Sequence, residues 1–243
     1  MIIKLTQNHT KELAKLHLKK YRTLHKKTIV EGVRLISQLN DYGINFDELI
    51  ICDKSEFDTS QYSAKQSFIA SQNQMKKITT TKTPQNIAAV ISIIHIPIKQ
   101  TQFLLYLDGI TDPGNMGTIF RTATAAGVSG IILSPDCCEI YNPKVIRASL
   151  GSVFHLPSET REHNWLKSLQ TTIVATTLED STNLFELSKP ASLMLVIGSE
   201  AFGVSKEILQ LAKHKVKIPI PGNIESINAA VATGIAIYHF INK

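Results

Sequence analysis

The chain has 243 residues, 43% of them hydrophobic, with 26 Lys/Arg against 20 Asp/Glu and a net charge of +6. That length supports one large or two ordinary folded domains, while the longest apolar stretch, residues 88–98, is interrupted by a Ser and a His and is too short to span a bilayer. The first residues run directly into polar sequence, so no secretory signal is expected, and the three cysteines, two of them adjacent (Cys137, Cys138), give neither a disulfide framework nor metal-ligand spacing. Reduced thiols in a cytoplasmic protein, with no metal and no membrane partner, are the expectation.

Positive charge is concentrated at the start. Residues 1–95 carry 14 Lys/Arg against 8 Asp/Glu, residues 96–243 carry 12 of each, and residues 1–34 alone hold 9 basic and 2 acidic side chains. Lys15, Lys19, Lys20, Arg22, Lys26 and Lys27, with His17 and His25 among them, predict a basic helix suited to a polyanion. A solvated lysine-rich face is the plainer alternative. Apolar residues at 33, 35, 36 and 39 predict a helix over residues 31–39, and residues 48–52 and 88–94 read as strands. The pattern predicts an α/β domain over residues 1–95, followed by a linker at 96–101.

From residue 102 to 243 the rhythm is strand then helix, repeated. Strands are expected at 103–107, 129–133, 172–176, 192–197 and 216–220, and helices at about 115–126, 160–169, 205–213 and 226–241. Such alternation implies a parallel sheet covered on both faces.

Three stretches of this second region carry candidate chemistry. Residues 108–121 place three glycines, Asn115 and Arg121 where a strand hands over to a helix, which is where ligands sit in open α/β sheets. Asp112 is a possible helix cap and Pro113 suits the first turn. Residues 193–203 end a strand in Gly198, with Glu200 just beyond. The spacing Gly198-x-x-x-x-Gly203 is reminiscent of a phosphate loop, but Val204 stands where that loop needs its Lys, which rules out an ATPase reading. Residues 218–240 begin with Pro219, Pro221 and Gly222, a rigid irregular loop, and continue into an Ala-rich helix that Ser226 can cap. No G-x-G-x-x-G, H-E-x-x-H, C-x-x-C or G-x-S-x-G is present.

Taken in order, these stretches resemble the SpoU (TrmH-like) family of RNA ribose 2′-O-methyltransferases of the SPOUT superfamily. The resemblance rests on D-P-x-N-x-G-x-x-x-R (Asp112, Pro113, Asn115, Gly117, Arg121), I-G-x-E-x-x-G (197–203) and I-P-I-P-G-x-x-E-S-I-N-A-A-V-A (218–232), with a connecting segment from Asn142 through Arg147 and Ser149 to Phe154. It covers residues 103–243. The first domain resembles, more weakly, the L30e-like RNA-binding domain often fused to this family, through Ile29-Val30-Glu31-Gly32.

The resemblance implies an α/β fold: a C-terminal SPOUT domain with a parallel sheet and a C-terminal trefoil knot, plus a smaller N-terminal α/β domain. It implies S-adenosyl-L-methionine as cofactor and a homodimer. The substrate would be structured RNA, ribosomal RNA first and transfer RNA as the alternative. A non-catalytic RNA-binding protein on the same fold and a small-molecule enzyme are the competing classes. Asn115, Arg121, Glu200, Ser226 and Asn228 would form the catalytic set. Thr177, Gly198, Ile218, Ile220, Ser226 and Ile227 would contact the cofactor, largely through backbone groups. Lys15, Lys19, Lys20, Arg22, Lys26, Lys27, Arg34, Arg121, Lys144 and Arg147 would contact RNA. Ala230 stands where many relatives carry Ser.

Overall fold

Two β-sheets, each with its own helices, organise the chain. The structure, a computed structural model, describes residues 2–55, 59–81, 83–99 and 101–241; Gln100 of the expected linker lies outside the described residues. One unit comprises the residues up to 94 together with 141–154, and the other comprises 95–140 and 155 onward.

The first unit is built from β1 (Ile2–Lys4), α1 (Gln7–Lys15), α2 (Lys19–His25), β2 (Lys27–Glu31), α3 (Val33–Asp41), β3 (Phe46–Cys52), β4 (Ala64–Ala70), α4 (Gln72–Ile78) and β5 (Ile87–Ser92). The sheet order is β1-β4-β3-β5-β2, with β5 antiparallel to both β2 and β3. The expected basic helix is therefore two short helices and a strand. The break falls between Lys15 and Lys19, where Arg22 turns inward: it is 3% exposed, and its Nη1 donates to the carbonyls of Leu16 and His17 at 2.9 and 2.7 Å. Its charge is spent on the carbonyls at the end of α1.

Gly32 separates β2 from α3 with φ +102°, so the helix starts at Val33 rather than at 31. Leu35, Ile36 and Leu39 form its buried stripe. The connecting segment also belongs to this unit. It contains α6 (Pro143–Ala148), capped by Asn142, whose side chain accepts from Lys144 N at 2.9 Å. Behind it Gly151 has φ +81°, and a Cβ there would stand 2.7 Å from Leu39 Cδ2, so only glycine allows this approach. The Arg147 guanidinium donates to Thr80 Oγ1 at 2.7 Å.

The second unit contains β6 (Phe103–Asp108), α5 (Pro113–Ala125), β7 (Gly130–Leu133), β8 (Ser158–Thr160), β9 (Thr172–Thr176), β10 (Thr182–Asn183), β11 (Leu193–Gly198), α7 (Lys206–Leu211), β12 (His214–Lys217) and α8 (Ala229–Ile241). Its sheet runs β10-β12-β9-β11-β6-β7-β8, with every adjacent pair parallel. Strand β6 is buried along its whole length, as a central parallel strand must be. Met116, Ile119, Phe120 and Ala123 form the buried stripe of α5, each fully covered. Helix α5 packs against α8, where Gly234 brings the chain close to Thr122 Cγ2.

Three elements differ from those expected by more than two residues at an end. The strand expected at 216–220 spans His214–Lys217, because Pro219 and Pro221 have no N–H to extend a ladder. The helix expected at 160–169 is a 3₁₀ stretch, His163–Ser168, preceded by strand β8; only Leu166 is buried on it, too little to hold an α-helix against the core. Helix α8 starts at Ala229 rather than 226, with Asn228 as its cap: Asn228 Oδ1 accepts from the N–H groups of Ala230 and Val231 at 3.0 and 3.2 Å.

Asp47 shows how the first sheet holds a charge. It is 7% exposed and accepts from Lys65 at 2.5 Å and Ser92 Oγ at 2.5 Å, with Lys27 at 3.4 Å. Burial works to raise its pKa, but the bonds from Lys65 and Ser92 and the charge of Lys27 outweigh it and hold the carboxyl below its ordinary 3.8. A depressed carboxyl contributes stability above its unfolded pKa and loses it as the pH falls through the folded value. Asp47→Asn should lower stability at pH 7 by about 1–3 kcal/mol. In urea melts the gap from wild type should close below pH 3.8; a gap that persists there would assign the effect to packing instead.

Candidate active site

The parallel sheet sends the loops after β6, β7, β9, β11 and β12 out at one edge. Residues far apart in sequence therefore meet there. The centre is Glu200 Oε1. It accepts from Asn115 Nδ2 at 2.6 Å, Asn228 Nδ2 at 3.2 Å and the backbone N–H of Ala229 at 3.4 Å. Asn228 Nδ2 also donates to Asn115 Oδ1 at 2.9 Å. Asn115, Glu200 and Asn228 thus close a three-membered ring of hydrogen bonds across separations of 85, 28 and 113 residues.

Local structure aims each member. Asp112 caps α5 by accepting from Asn115 N at 2.8 Å, and Pro113 fills the first turn, which sets Asn115 at the mouth of the helix. Glu200 rides on a tight return: Ser199 and Gly203 exchange two backbone hydrogen bonds at 2.9 and 3.1 Å, and Ser199 Oγ accepts from Phe202 N. This return folds back over Gly198 so closely that a Cβ at 198 would lie 2.0 Å from the Gly203 carbonyl carbon. Gly198 serves the loop's own backbone, a sharper requirement than the spacing alone suggested.

The other two members of the expected catalytic set lie outside the ring. Arg121 is exposed on α5 and makes no hydrogen bond or ion pair among the described residues, which leaves its guanidinium free for an incoming anion. Ser226 is exposed, two residues before the true cap Asn228, and does not hold the start of α8.

The expected cofactor residues share one edge. Thr177 follows β9, Gly198 ends β11 and Ile218 follows β12, and these strands are neighbours in the order β12-β9-β11. The Thr177 amide is taken by the Val216 carbonyl at 3.0 Å, and its hydroxyl accepts from Glu179 N. Residues 218–227, including Ile220 and Ile227, make no hydrogen bond among the described residues. Their unpaired backbone donors and acceptors, stiffened by Pro219 and Pro221, fit a ligand read through main-chain contacts.

A second feature lies on the other side of β11. A cavity of about 390 Å³ opens beside β6, β7 and β8, walled by Asp108, Asp136, His163, Phe202, Ser205 and the Asn115–Glu200 pair. None of Thr177, Gly198, Ile218, Ile220 or Ile227 lines it. Sequence reasoning passed over Asp108, His163 and Phe202. Asp108 was legible as a carboxylate closing an apolar strand, whereas His163 and Phe202 had no signal. Next to this wall Cys137 and Cys138 are free thiols; burial raises Cys137 above its ordinary pKa and pushes Cys138 up to about 11, away from thiolate reactivity.

The expected RNA-binding side chains divide between the units. Lys19, Lys20, Lys26, Arg34 and Lys144 are exposed in the first unit, where Lys15 pairs with Glu12 at 2.7 Å and Lys27 with Asp47 at 3.4 Å. Lys144 and Arg147 belong to this unit as well, although the sequence placed them with the second region. Arg22 is removed from the set, since its buried guanidinium is committed to the chain's own carbonyls.

Among the described residues no cluster of three or more His, Cys, Asp or Glu can hold a metal ion, and no helix is long and apolar enough to cross a membrane.

Residues 102–238 match the SpoU rRNA Methylase family and residues 7–89 the MRM3-like substrate binding domain. The chain is 32% identical over 234 residues, 94% of each chain, to the 23S rRNA (guanosine(2553)-2′-O)-methyltransferase RlmP of Bacillus subtilis. It is 28% identical over 177 residues to the 23S rRNA (uridine(2479)-2′-O)-methyltransferase of Streptomyces viridochromogenes, covering 67% of this chain and 62% of that one. The crystal structure of an AdoMet-bound rRNA methyltransferase from Sinorhizobium meliloti superposes with a TM-score of 0.85 at 27% identity, over 98% of this chain and 96% of that one.

Replacing Gly198 by Ala should push the 199–203 return off its strand. The expected result is at least a 10-fold loss of S-adenosylmethionine affinity by calorimetry and a lower melting temperature. Unchanged affinity would show that the return does not set the cofactor loops.

Proposed function

Because the chain belongs to the SpoU rRNA methylase family, we propose that its second unit moves a methyl group from S-adenosylmethionine to a ribose 2′-hydroxyl of ribosomal RNA, with Arg121 at the reacting oxygen. The observation that carries this reading is the Asn115–Glu200–Asn228 ring, which joins the three segments that bear the family resemblance into one site at the start of the helix that carries Arg121.

When bound, S-adenosylmethionine supplies an activated methyl group on a sulfonium. Its holders would be the main-chain groups of 218–227, with Gly198 and Thr177 beside them. The task left to the chain is the nucleophile, since a sugar hydroxyl is almost un-ionised near neutral pH. Positioning alone can contribute about 7–11 kcal/mol. Arg121 is no base, because a guanidinium offers five N–H donors and no acceptor. Its role is cationic: it holds the ribose and its phosphate and stabilises negative charge growing on the 2′-oxygen, while the hydroxyl proton leaves to solvent and the sulfonium is left as a neutral thioether. The hydrogen-bonded ring holds Asn115, and with it the start of the helix that carries Arg121. Ser226, exposed on the loop before α8, faces incoming ligand rather than capping the helix.

The first unit would deliver the RNA. Lys19, Lys20, Lys26, Arg34 and Lys144 are exposed cations suited to phosphate contacts, which position the RNA without reading its sequence. Tyr21 adds an aromatic surface, stacked on His25 with centroids 6.2 Å apart. We further propose a cytoplasmic homodimer. The exposed Val231 and Tyr238 on α8, a helix apolar on nearly every face, support a second copy as its cover. A knotted C-terminal segment is part of the same reading by family likeness.

Mapping 2′-O-methyl groups in ribosomal RNA from cells with and without the gene should reveal one site that depends on it. With that RNA, Arg121→Ala should lower kcat by about 10²-fold or more and leave S-adenosylmethionine affinity within twofold. Near wild-type turnover would remove Arg121 from the mechanism.

A further inference from the structure

We propose that the cavity beside Glu200 seats the nucleobase of the target nucleotide and selects guanine. This rests on the reading of the second unit as an RNA methyltransferase. Family membership does not supply the base: of the two relatives named above, one carries guanosine in its name and the other uridine.

Position comes first. The cavity shares Asn115 and Glu200 with the hydrogen-bonded ring, so a nucleotide whose ribose reaches that ring has this recess next to it. Its volume of about 390 Å³ lies within the range of small-ligand pockets. Enzymes that do chemistry on a base take it out of its stack and hold it between apolar groups and polar readers, and this recess offers both kinds of wall next to the ring.

Charge then decides what can enter. Asp108, Asp112, Asp136 and Glu200 face the cavity, with His163 the lone basic side chain on its wall. A phosphate is repelled from such a recess, whereas a neutral group rich in donors is drawn to it. An aromatic surface is also in place. Phe202 stands at the wall with 91% of its surface exposed, on the return that carries Glu200. An apolar ring so exposed gains nothing from folding, and a stacked base would cover it.

The acceptors left free decide which base. Both oxygens of Asp108 are occupied, by His163 Nε2 at 2.9 Å and Ser205 N at 2.8 Å. One oxygen of Asp112 serves the cap of α5, and Glu200 Oε1 is saturated by the ring. Asp136 alone among these carboxylates makes no bond among the described residues. The buried hydroxyl of Ser205, on the same wall, also lacks a partner. Guanine presents N1–H and N2–H side by side, which match the two oxygens of one carboxylate. Adenine and cytosine set a ring acceptor beside their amino group, and uracil flanks its N–H with two carbonyls, so each turns a lone pair toward the second oxygen. Bidentate pairing of this kind discriminates by about 5–150-fold.

Two measurements on the full-length protein test the assignment. In saturation-transfer NMR with the four ribonucleosides, wild type should bind guanosine at least 5-fold better than the others. Phe202→Ala and Asp136→Asn should each weaken it at least 5-fold, and Phe202→Trp should retain it. In methyl transfer to the mapped ribosomal RNA site, the first two variants should lose about 5–150-fold in kcat/KM, with S-adenosylmethionine affinity within twofold of wild type. Replacing the target base by adenine should cost wild type more than it costs Asp136→Asn. Both side chains are exposed, so the variants should fold. Guanosine bound no better than uridine, or variants equal to wild type in both assays, would overturn the base seat and leave methyl transfer standing. A wild type that binds guanosine with these sensitivities but methylates no ribosomal RNA would instead overturn the methyltransferase reading.

Discussion

One carboxylate oxygen organises the active edge of this protein. Glu200 Oε1 collects an amide from Asn115, an amide from Asn228 and the first backbone N–H of α8. Each donor comes from a different segment, and each segment begins or ends a regular element: the start of α5, the return after β11, the start of α8. Charge-assisted hydrogen bonds are shorter and stronger than neutral ones, and here they clamp two helices that also pack against each other. The glycine behind the return makes the clamp possible. Without a side chain at 198, residues 199–203 can lie on their own strand end and hold Glu200 above the sheet edge.

The sheet then sorts two tasks to either side of β11. Toward β9 and β12 lie the main-chain groups of 218–227, without hydrogen-bond partners among the described residues and suited to a cofactor recognised by its shape and its hydrogen-bonding edge. Toward β6, β7 and β8 lies a recess lined by carboxylates with an exposed aromatic at its wall. The ring of Asn115, Glu200 and Asn228 stands between them. Such a division suits a transfer reaction, in which donor and acceptor must approach one point from opposite sides without sharing a pocket.

Much of this was legible in the chain itself. The apolar runs at 103–107 and 192–197 gave buried strands within one residue at each end, because a central parallel strand must be apolar on both faces. Asp112-Pro113 announced the start of α5 through cap chemistry that acts within four residues. The boundaries that shifted were those where a local signal had competitors. Ser226 and Asn228 are both good caps, and nothing nearby in sequence says which one meets Glu200. The prolines at 219 and 221 argued against a strand through 220, and the ladder stops at Lys217 as their missing N–H groups require.

By itself, then, the sequence determined the alternation of strand and helix and the basic first third, since these follow from periodicity and charge; the expected catalytic set came with the family resemblance of three ordered motifs. Tertiary structure decided which of those residues meet. It turned Arg22 inward to serve carbonyls at the end of α1, and it folded residues 141–154 into the first unit by way of Gly151 and Leu39. It also set Phe202, Asp136 and Ser205 around one recess. Such meetings depend on contacts between residues as much as 113 positions apart, as at Asn115 and Asn228. No pattern within a single helix or strand encodes them.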